Sequence, residues 1–235
     1  MERNNRLKRL EYWLKARLGK IAFIRLEQKR ETAWYGNQYG GFYADPSLIP
    51  TGGIVYSFGI GEDISFDRAI IEKHGCRVYG FDPTPKSISW VRETSIPENF
   101  FFHPFGIGAV TEKAIFRLPK NKDHVSGSVY EHRLVDNDNA VEVLLKSFSD
   151  ILADLGHQQI DVLKMDIEGS EYAIIEDILT SGIPITQILV ETHERFFEDG
   201  KTKGERFFKL LHRHGYRIFA ISDTYQEISL VKQPM

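Results

Sequence analysis

The 235-residue chain reads as an α/β protein on a doubly wound sheet, preceded by a helical extension. Three observations predict this. From residue 53 onward, apolar runs of strand length alternate with helical spacing, a pattern that folds into right-handed crossover units around a parallel sheet. A glycine turn, Gly59-Ile60-Gly61, ends the first apolar run. Asp82 closes the second, at a distance typical of a nucleoside-binding unit. The expected division is 1–50 for a basic helical extension with an aromatic lead-in loop, and 51–235 for the main domain.

In residues 5–26, Leu7, Leu10, Trp13, Leu14, Leu18, Ile21 and Ile24 recur at steps of three and four, so an amphipathic helix interrupted near Gly19 is expected there. Its apolar side is expected to pack on the body, with contact to a membrane surface or a partner as the alternative. Residues 33–53 are rich in aromatics and glycines without period and read as an ordered loop. Ile54–Phe58 is a strand, followed after the glycine turn by a helix over Ile64–His74 that stops at Gly75. Cys76–Phe81 is the next strand, Pro85–Thr94 a helix with proline in its first turn, and Phe100–His103 a third strand. Ala114–Leu118 is an extra strand, and Pro119–Asn139 a polar loop long enough to be an acceptor-binding lid through Lys122, Asp123, His124, Ser126, Gly127, Ser128, Tyr130 and His132. Val141–Leu145 is extended and Ser149–Leu155 helical. Asp161–Met165 is a buried strand ending at Asp166, and a helix capped by Gly169 or Ser170 runs to Thr180. Gln187–Glu191, a helix over Gly204–His214, and a hairpin of Arg217–Ser222 with Glu227–Lys232 complete the pattern.

Composition narrows the function classes. The lone Cys76 makes no internal disulfide, no apolar run approaches a membrane span, and no secretory apolar region follows the basic start. A reducing, cytoplasmic setting is the expectation. The net charge of −3 conceals a sign break: residues 1–30 hold ten Lys/Arg and three acids, a net +7, leaving −10 for the rest. An acidic body without an aromatic-studded basic surface argues against nucleic acid as a partner.

In open α/β sheets ligands bind beyond the carboxyl ends of the central strands, so the residues just after strands carry the functional reading. Gly59-Ile60-Gly61 allows close backbone approach before a helix N-terminus, and Asp82 is placed to accept hydrogen bonds from ribose hydroxyls. A dinucleotide fingerprint would need glycine where Ile64 stands, and the chain lacks a Tyr-x-x-x-Lys pair, which disfavours the rival reading of a nicotinamide-dependent oxidoreductase. Ser57, Glu62, Asp63 and Ser65 offer polar partners for a phosphate-free nucleoside cofactor.

These residues, and above all Lys164-Met165-Asp166-Ile167-Glu168-Gly169-Ser170-Glu171, resemble the FkbM-type branch of class I S-adenosylmethionine-dependent methyltransferases, and Tyr56 to Asp67 is similar to a methyltransferase-like subgroup. The resemblance implies a Rossmann-like, seven-stranded sheet whose last strand is antiparallel, with S-adenosylmethionine as donor. It implies methyl transfer, most often to oxygen, on a small-molecule, sugar or lipid-like acceptor. Carried over, Gly59 and Gly61 flank the cofactor's amino-acid part, Asp82 its ribose, and the Phe105–Ile107 turn, with Gly106, its adenine, while Asp166 faces the reacting centre; Ser57, Phe58, Asp63, Ser65, Pro83 and Asp166 are counted with the cofactor-binding residues. Ser57 departs from the acid common at that position, leaving Glu62 or Asp63 to meet the cofactor's amino group.

The chemistry needs an acceptor in line with the sulfonium methyl and a group that removes its proton. Asp166, Glu168, Glu191 and His193 lie at two strand ends expected to be neighbours and form the catalytic candidates, with His193 suited to act as base. In the alternative, Asp166, Glu191 and His193 bind a divalent cation that orients the acceptor and lowers its pKa. A second rival is a non-catalytic membrane-associated binding protein on the same fold.

Overall fold

The computed structural model describes residues 2–119 and 135–234, with side chains from Leu10 to Phe116 and from Ala140 onward. Helix α1 (Glu2–Arg17) opens the chain. It is shorter than the periodicity suggests. Gly19 takes a left-handed φ of 73°, and the chain beyond it is extended because its backbone is already engaged: the Tyr12 hydroxyl donates to Ala22 O (2.9 Å) and accepts from Ile24 N, Glu194 accepts from Ala22 N (3.1 Å), and Glu27 and Gln28 donate to Ile218 O. Contacts distant in sequence thus override a helical period. The expected docking of the apolar face is also corrected: Tyr12 is the buried residue, whereas Leu10, Trp13, Leu14 and Leu18 are exposed.

A small hairpin follows, β1 (Ala33–Tyr35) with β2 (Phe42–Ala44), so the aromatic segment is not purely loop. A reciprocal pair ties it to the body, Asp45 N to Gln187 Oε1 (2.8 Å) and Gln187 Nε2 to Asp45 O (3.2 Å). Next come β3 (Ile54–Phe58), α2 (Ser65–His74, ended by left-handed Gly75), β4 (Arg77–Phe81), α3 (Pro85–Glu93, capped by Thr84), β5 (Phe100–His103), β6 (Gly106–Gly108) and β7 (Glu112–Pro119). The loop expected up to Asn139 gives way to strand at Val135, because β8 (Val135–Ser147) pairs antiparallel with β7 as far as Pro119↔Val135. The lid candidates at 122–132 lie outside the described residues.

The remaining elements are α4 (Phe148–Leu155), β9 (Ile160–Met165), α5 (Glu171–Thr180), β10 (Ile185–Glu191), α6 (Gly200–Arg213), β11 (Tyr216–Ile221) and β12 (Glu227–Lys232). Helix α6 begins four residues before the expected start, and its Gly204 passes so close to the Glu194 carboxylate that a Cβ there would lie 1.7 Å from Oε1.

Seven strands form the main sheet in the order β11-β12-β10-β9-β3-β4-β5. Only β12, the last in sequence, runs antiparallel to its neighbours. Strands β3 and β9 are buried throughout, as expected of central strands covered on both faces. Alternation along β3 feeds two cores: Ile54, Tyr56 and Phe58 pack with Ile151, Ile175 and Phe207 of α4–α6, and Val55 packs with Phe66 and Ile70 of α2 and with Phe42. Strands β6, β8 and β7 make a separate three-stranded sheet.

The junction of β3 and β9 is the tightest. Gly59 has φ of 83°, and a Cβ there would fall 1.7 Å from Asp166 O. Gly59→Ala therefore combines left-handed strain with a backbone clash, and urea unfolding should show a loss of about 3 kcal/mol or more. A shift below about 1 kcal/mol would mean that the two strand ends separate easily.

Candidate active site

The glycine turn after β3 is held from the side by Asp82. Its Oδ2 accepts from Ile60 N (3.0 Å) and Gly61 N (2.8 Å), and its Oδ1 from Thr84 N (2.8 Å) and Thr84 Oγ1 (2.6 Å). A carboxylate has about four acceptor positions, so all are taken by the protein itself. Burial raises the Asp82 pKa, opposed by the bonds from Thr84, Gly61 and Ile60. Here Asp82 braces the turn between two strand ends. Ile64, buried at the start of α2, packs where a dinucleotide site would need a third glycine.

The other cofactor candidates divide into two groups. Asp63 accepts from Ser65 N (2.7 Å) and Asn37 Nδ2 (2.8 Å), and Ser65 Oγ accepts from Asn37 N (3.0 Å), so the hairpin segment closes over this side of the turn. Glu62 pairs with Lys86 at 2.9 Å. Ser57 and Phe58 are buried inside β3, where Ser57 faces the interior with Asp67 rather than an open pocket. Burial raises the Asp67 pKa, and the Lys164 charge and the Ser57 hydroxyl oppose it. At the far edge of the turn, Gly106 is buried against Pro83 and Leu145, and the Lys146 ammonium lies 4.8 Å from the centre of the Phe105 ring.

Beyond β9 and β10 the catalytic candidates converge. Asp166 follows β9, and Glu168 next to it adopts a left-handed φ of 52°, uncommon for a residue other than glycine. Glu191 ends β10, and His193 follows two residues later. The His193 ring is fully buried. Its Nε2 lies 3.3 Å from Glu168 Oε2, 3.5 Å from Glu191 Oε1 and 3.7 Å from Asp166 Oδ1. Neither Nε2 nor Asp166 Oδ1 has a hydrogen-bond partner among the described residues. One ligand atom each from Asp166, Glu191 and His193 fall within 4.8 Å of one another, a spacing that can hold a metal ion.

Glu171, at the start of α5, organises this cluster from below. It is fully buried, accepts from His193 N (3.0 Å) and Gly169 N (2.9 Å), and lies 3.1 Å from His193 Nδ1. The Ser170 side chain, at the cap position of α5, makes no capping bond. The Tyr172 hydroxyl also accepts from His193 N (2.9 Å). Glu171 stands inside the most distinctive string of the sequence, but its role needs a partner 22 residues away. Tyr39, from the aromatic segment, is exposed yet near enough to the cluster that partial desolvation and the charges of Asp166, Glu168 and Glu191 raise its pKa. The aromatic density of 33–53 was the available signal for it.

Charge sets the protonation state. Burial alone would lower the His193 pKa, yet Glu171, Glu168 and Glu191 outweigh it and lift it to about 9. Burial, with Asp166 close by, raises Glu191 to about 8. Arg195 offsets part of the negative charge through Glu191 at 3.3 Å and also lines a neighbouring cleft of about 590 Å³ between α1 and the β11–β12 turn, with Tyr12, Lys15, Thr192 and Tyr225.

The sequence matches the Methyltransferase FkbM domain family over residues 56–218. The chain belongs to the FkbM methyltransferase family. The matched segment covers the glycine turn, Asp82, Asp166 and His193, and leaves α1 outside. Two curated relatives are similar: probable methyltransferase-like protein 24 of Homo sapiens, 23% identical over 182 residues, and that of Rattus norvegicus, 25% over 185 residues. Each match spans 74% of this chain but only 43% and 44% of those proteins, under half of their length. Among solved structures, a Methanococcus jannaschii fibrillarin pre-rRNA processing protein is 11% identical with a TM-score of 0.47, over 91% of this chain and 88% of that one. Fibrillarin of Aeropyrum pernix is 13% identical with a TM-score of 0.45, over 90% and 85%. The fold assignment rests on the strand order, which is the seven-stranded arrangement the FkbM resemblance implies.

Both raised values act in one direction on stability. A His193 proton held up to about 9 stabilises the native state fully below the unfolded value of 6.5 and is lost as pH rises through 9. A Glu191 carboxyl raised to about 8 costs stability progressively as pH rises from 4.5 to 8. Melting temperature in chelator-containing buffer should therefore fall between pH 6.5 and 9, with up to about 1.4 kcal/mol per pH unit per proton, and fall less steeply in Glu191→Gln. Parallel profiles for the two proteins would contradict the coupling.

Proposed function

We propose that this FkbM methyltransferase domain transfers the methyl group of S-adenosylmethionine to a hydroxyl oxygen of a small-molecule acceptor, with the acid–histidine cluster activating that oxygen. The observation that supports it most is the convergence of Asp166, Glu168, Glu191 and His193 beside the glycine turn, in a chain whose family is a methyltransferase family. S-adenosylmethionine supplies an electrophilic methyl on a sulfonium. The acceptor oxygen forms the new bond to carbon, the sulfur leaves with the electron pair as a thioether, and the hydroxyl proton passes to a protein base.

The residues divide these tasks. Gly59 and Gly61 place backbone close to the cofactor, and Asp82 serves it by fixing the turn. The Phe105–Gly106 edge bounds the pocket. The Asp166 side chain is partly exposed, so its carboxylate can take the acceptor's proton. His193, protonated at neutral pH through its surrounding acids, is poorly suited to accept a proton and well suited to hydrogen-bond an oxyanion. Glu171 is the positioning residue for that imidazolium.

A second reading is favoured by the mutual spacing of Asp166, Glu191 and His193. These three would hold a divalent cation of the magnesium or manganese type, which lowers the pKa of a bound hydroxyl and orients it. Carboxylates in excess of the local positive charge fit a cation. Binding through Nε2 would release the His193 proton.

Calorimetry of the full chain with S-adenosylmethionine tests the cofactor. Asp82→Ala frees two turn N–H groups and should abolish binding, whereas retained micromolar affinity would sink the assignment. Binding of a nicotinamide dinucleotide in place of S-adenosylmethionine would restore the oxidoreductase rival.

An acceptor screen with labelled donor tests the cluster. Asp166→Ala and His193→Ala should each lower turnover by about 100-fold or more, with cofactor affinity largely kept. Normal turnover in both variants refutes the activation scheme. Loss of turnover in chelator, restored by magnesium or manganese, selects the cation reading.

A further inference from the structure

The N-terminal helix presents its apolar side away from the protein. Tyr12 fixes its rotation, being buried between Ala22 and Ile24 and stacked 4.1 Å from Tyr225. At 3.6 residues per turn, Leu10 and Leu14 lie about 160° around the axis from Tyr12. Leu10, Trp13, Leu14 and Leu18 are accordingly 44–70% exposed. The extended strap continues the patch, since Ala22 and Ile24 face inward while Phe23 and Leu26 point out. Trp13, Phe23 and Leu26 line one shallow cleft of about 370 Å³ with Ile221. Six large apolar side chains along α1 and the segment to Leu26 exceed the scattered exposure of an ordinary surface.

Charge identifies the occupant. The segment that carries the patch holds a net +7 and the rest of the chain −10. The Arg17 guanidinium lies 5.1 Å from the centre of the exposed Trp13 ring, an arrangement suited to a headgroup layer where an amphipathic ring and a cation meet. A second copy of the chain would bring two basic faces together with few acids to pair them: of the three in residues 1–30, Glu11 is already bonded to Lys15, and Glu27 to Ile218 N and His212. A nucleic acid would leave the leucines without use. Apolar residues flanked by bases fit a negatively charged lipid surface, into which the apolar face inserts while the bases meet headgroups.

We propose that α1 and the strap to Leu26 form a docking surface for anionic lipid bilayers, with Leu10, Trp13, Leu14, Leu18, Phe23 and Leu26 seated at the acyl boundary. The net +7 of this segment against −10 for the rest of the chain would orient the molecule with the segment toward the membrane. No helix among the described residues is long and apolar enough to cross a membrane, and the geometry is that of an element lying in the interface.

Co-sedimentation of the full chain with vesicles of phosphatidylcholine alone, or with about 30% phosphatidylserine, tests this. Binding should be at least about tenfold tighter to the anionic vesicles and should weaken at high salt. The triple variant Leu10→Glu, Trp13→Glu, Leu14→Glu should lose at least about tenfold in vesicle affinity. Its melting temperature and S-adenosylmethionine affinity should match the parent, because the three side chains are exposed. That internal control separates failure of this docking surface from failure of the methyl-transfer reading. Absence of binding, equal binding to neutral vesicles, unchanged binding by the variant, or a dimer in light scattering that the variant dissolves would each overturn the proposal.

Discussion

The close approach of residue 59 to the Asp166 carbonyl is the constraint on which the candidate site depends. Because glycine leaves room there, β3 and β9 end side by side: Phe58 O accepts from Asp166 N at 2.9 Å and Lys164 Nζ donates to Gly59 O at 2.8 Å. The glycine turn and the acid that begins the candidate catalytic cluster are therefore successive consequences of one strand junction. Asp82 extends this from the other side, linking the β4 end to the same turn. A site assembled from the ends of β3, β4, β9 and β10 needs no loop to be ordered for its own sake, which accounts for its placement over the most buried strands.

Electrostatics then gives the cluster its character. Four carboxylates surround one buried imidazole, and burial would make each charge costly in isolation. Mutual pairing offsets that cost through His193, Arg195 and the backbone N–H groups that Glu171 accepts. The arrangement remains short of positive charge: the surrounding acids raise His193, while burial, with Asp166 beside it, raises Glu191. An imidazolium held so firmly favours stabilising a developing negative charge over accepting a proton. A divalent cation would answer the same imbalance. Both readings of the chemistry therefore begin from one surplus of carboxylates.

Much of this was legible in the residues because polar groups at the ends of apolar runs mark ligand-facing strand termini in an open sheet. Gly59, Asp82, Asp166, Glu191 and His193 could be singled out on that ground, and the Asp-Ile-Glu-Gly-Ser-Glu string specified the family. Three features could not be read. Saturation of Asp82 by its own turn depends on the exact approach of Thr84 and Gly61. Glu171's grip on His193 spans a helix and a strand, α5 and β10. The end of α1 at Arg17 is decided by hydrogen bonds to Glu194 and Ile218, residues whose proximity no local period encodes.

The same limit governs the direction in which α1 faces. Apolar spacing fixes that a helix has an apolar side, but only the anchoring residue decides where that side points. Here the anchor is Tyr12, which is outside the leucine stripe, so burial of the anchor turns the stripe outward. Docking the stripe on the body instead would strip Ala22 and Ile24 of the hydroxyl that satisfies them. An outward apolar face on a segment of net +7 is thus the arrangement that keeps the Tyr12 hydroxyl on Ala22 and Ile24.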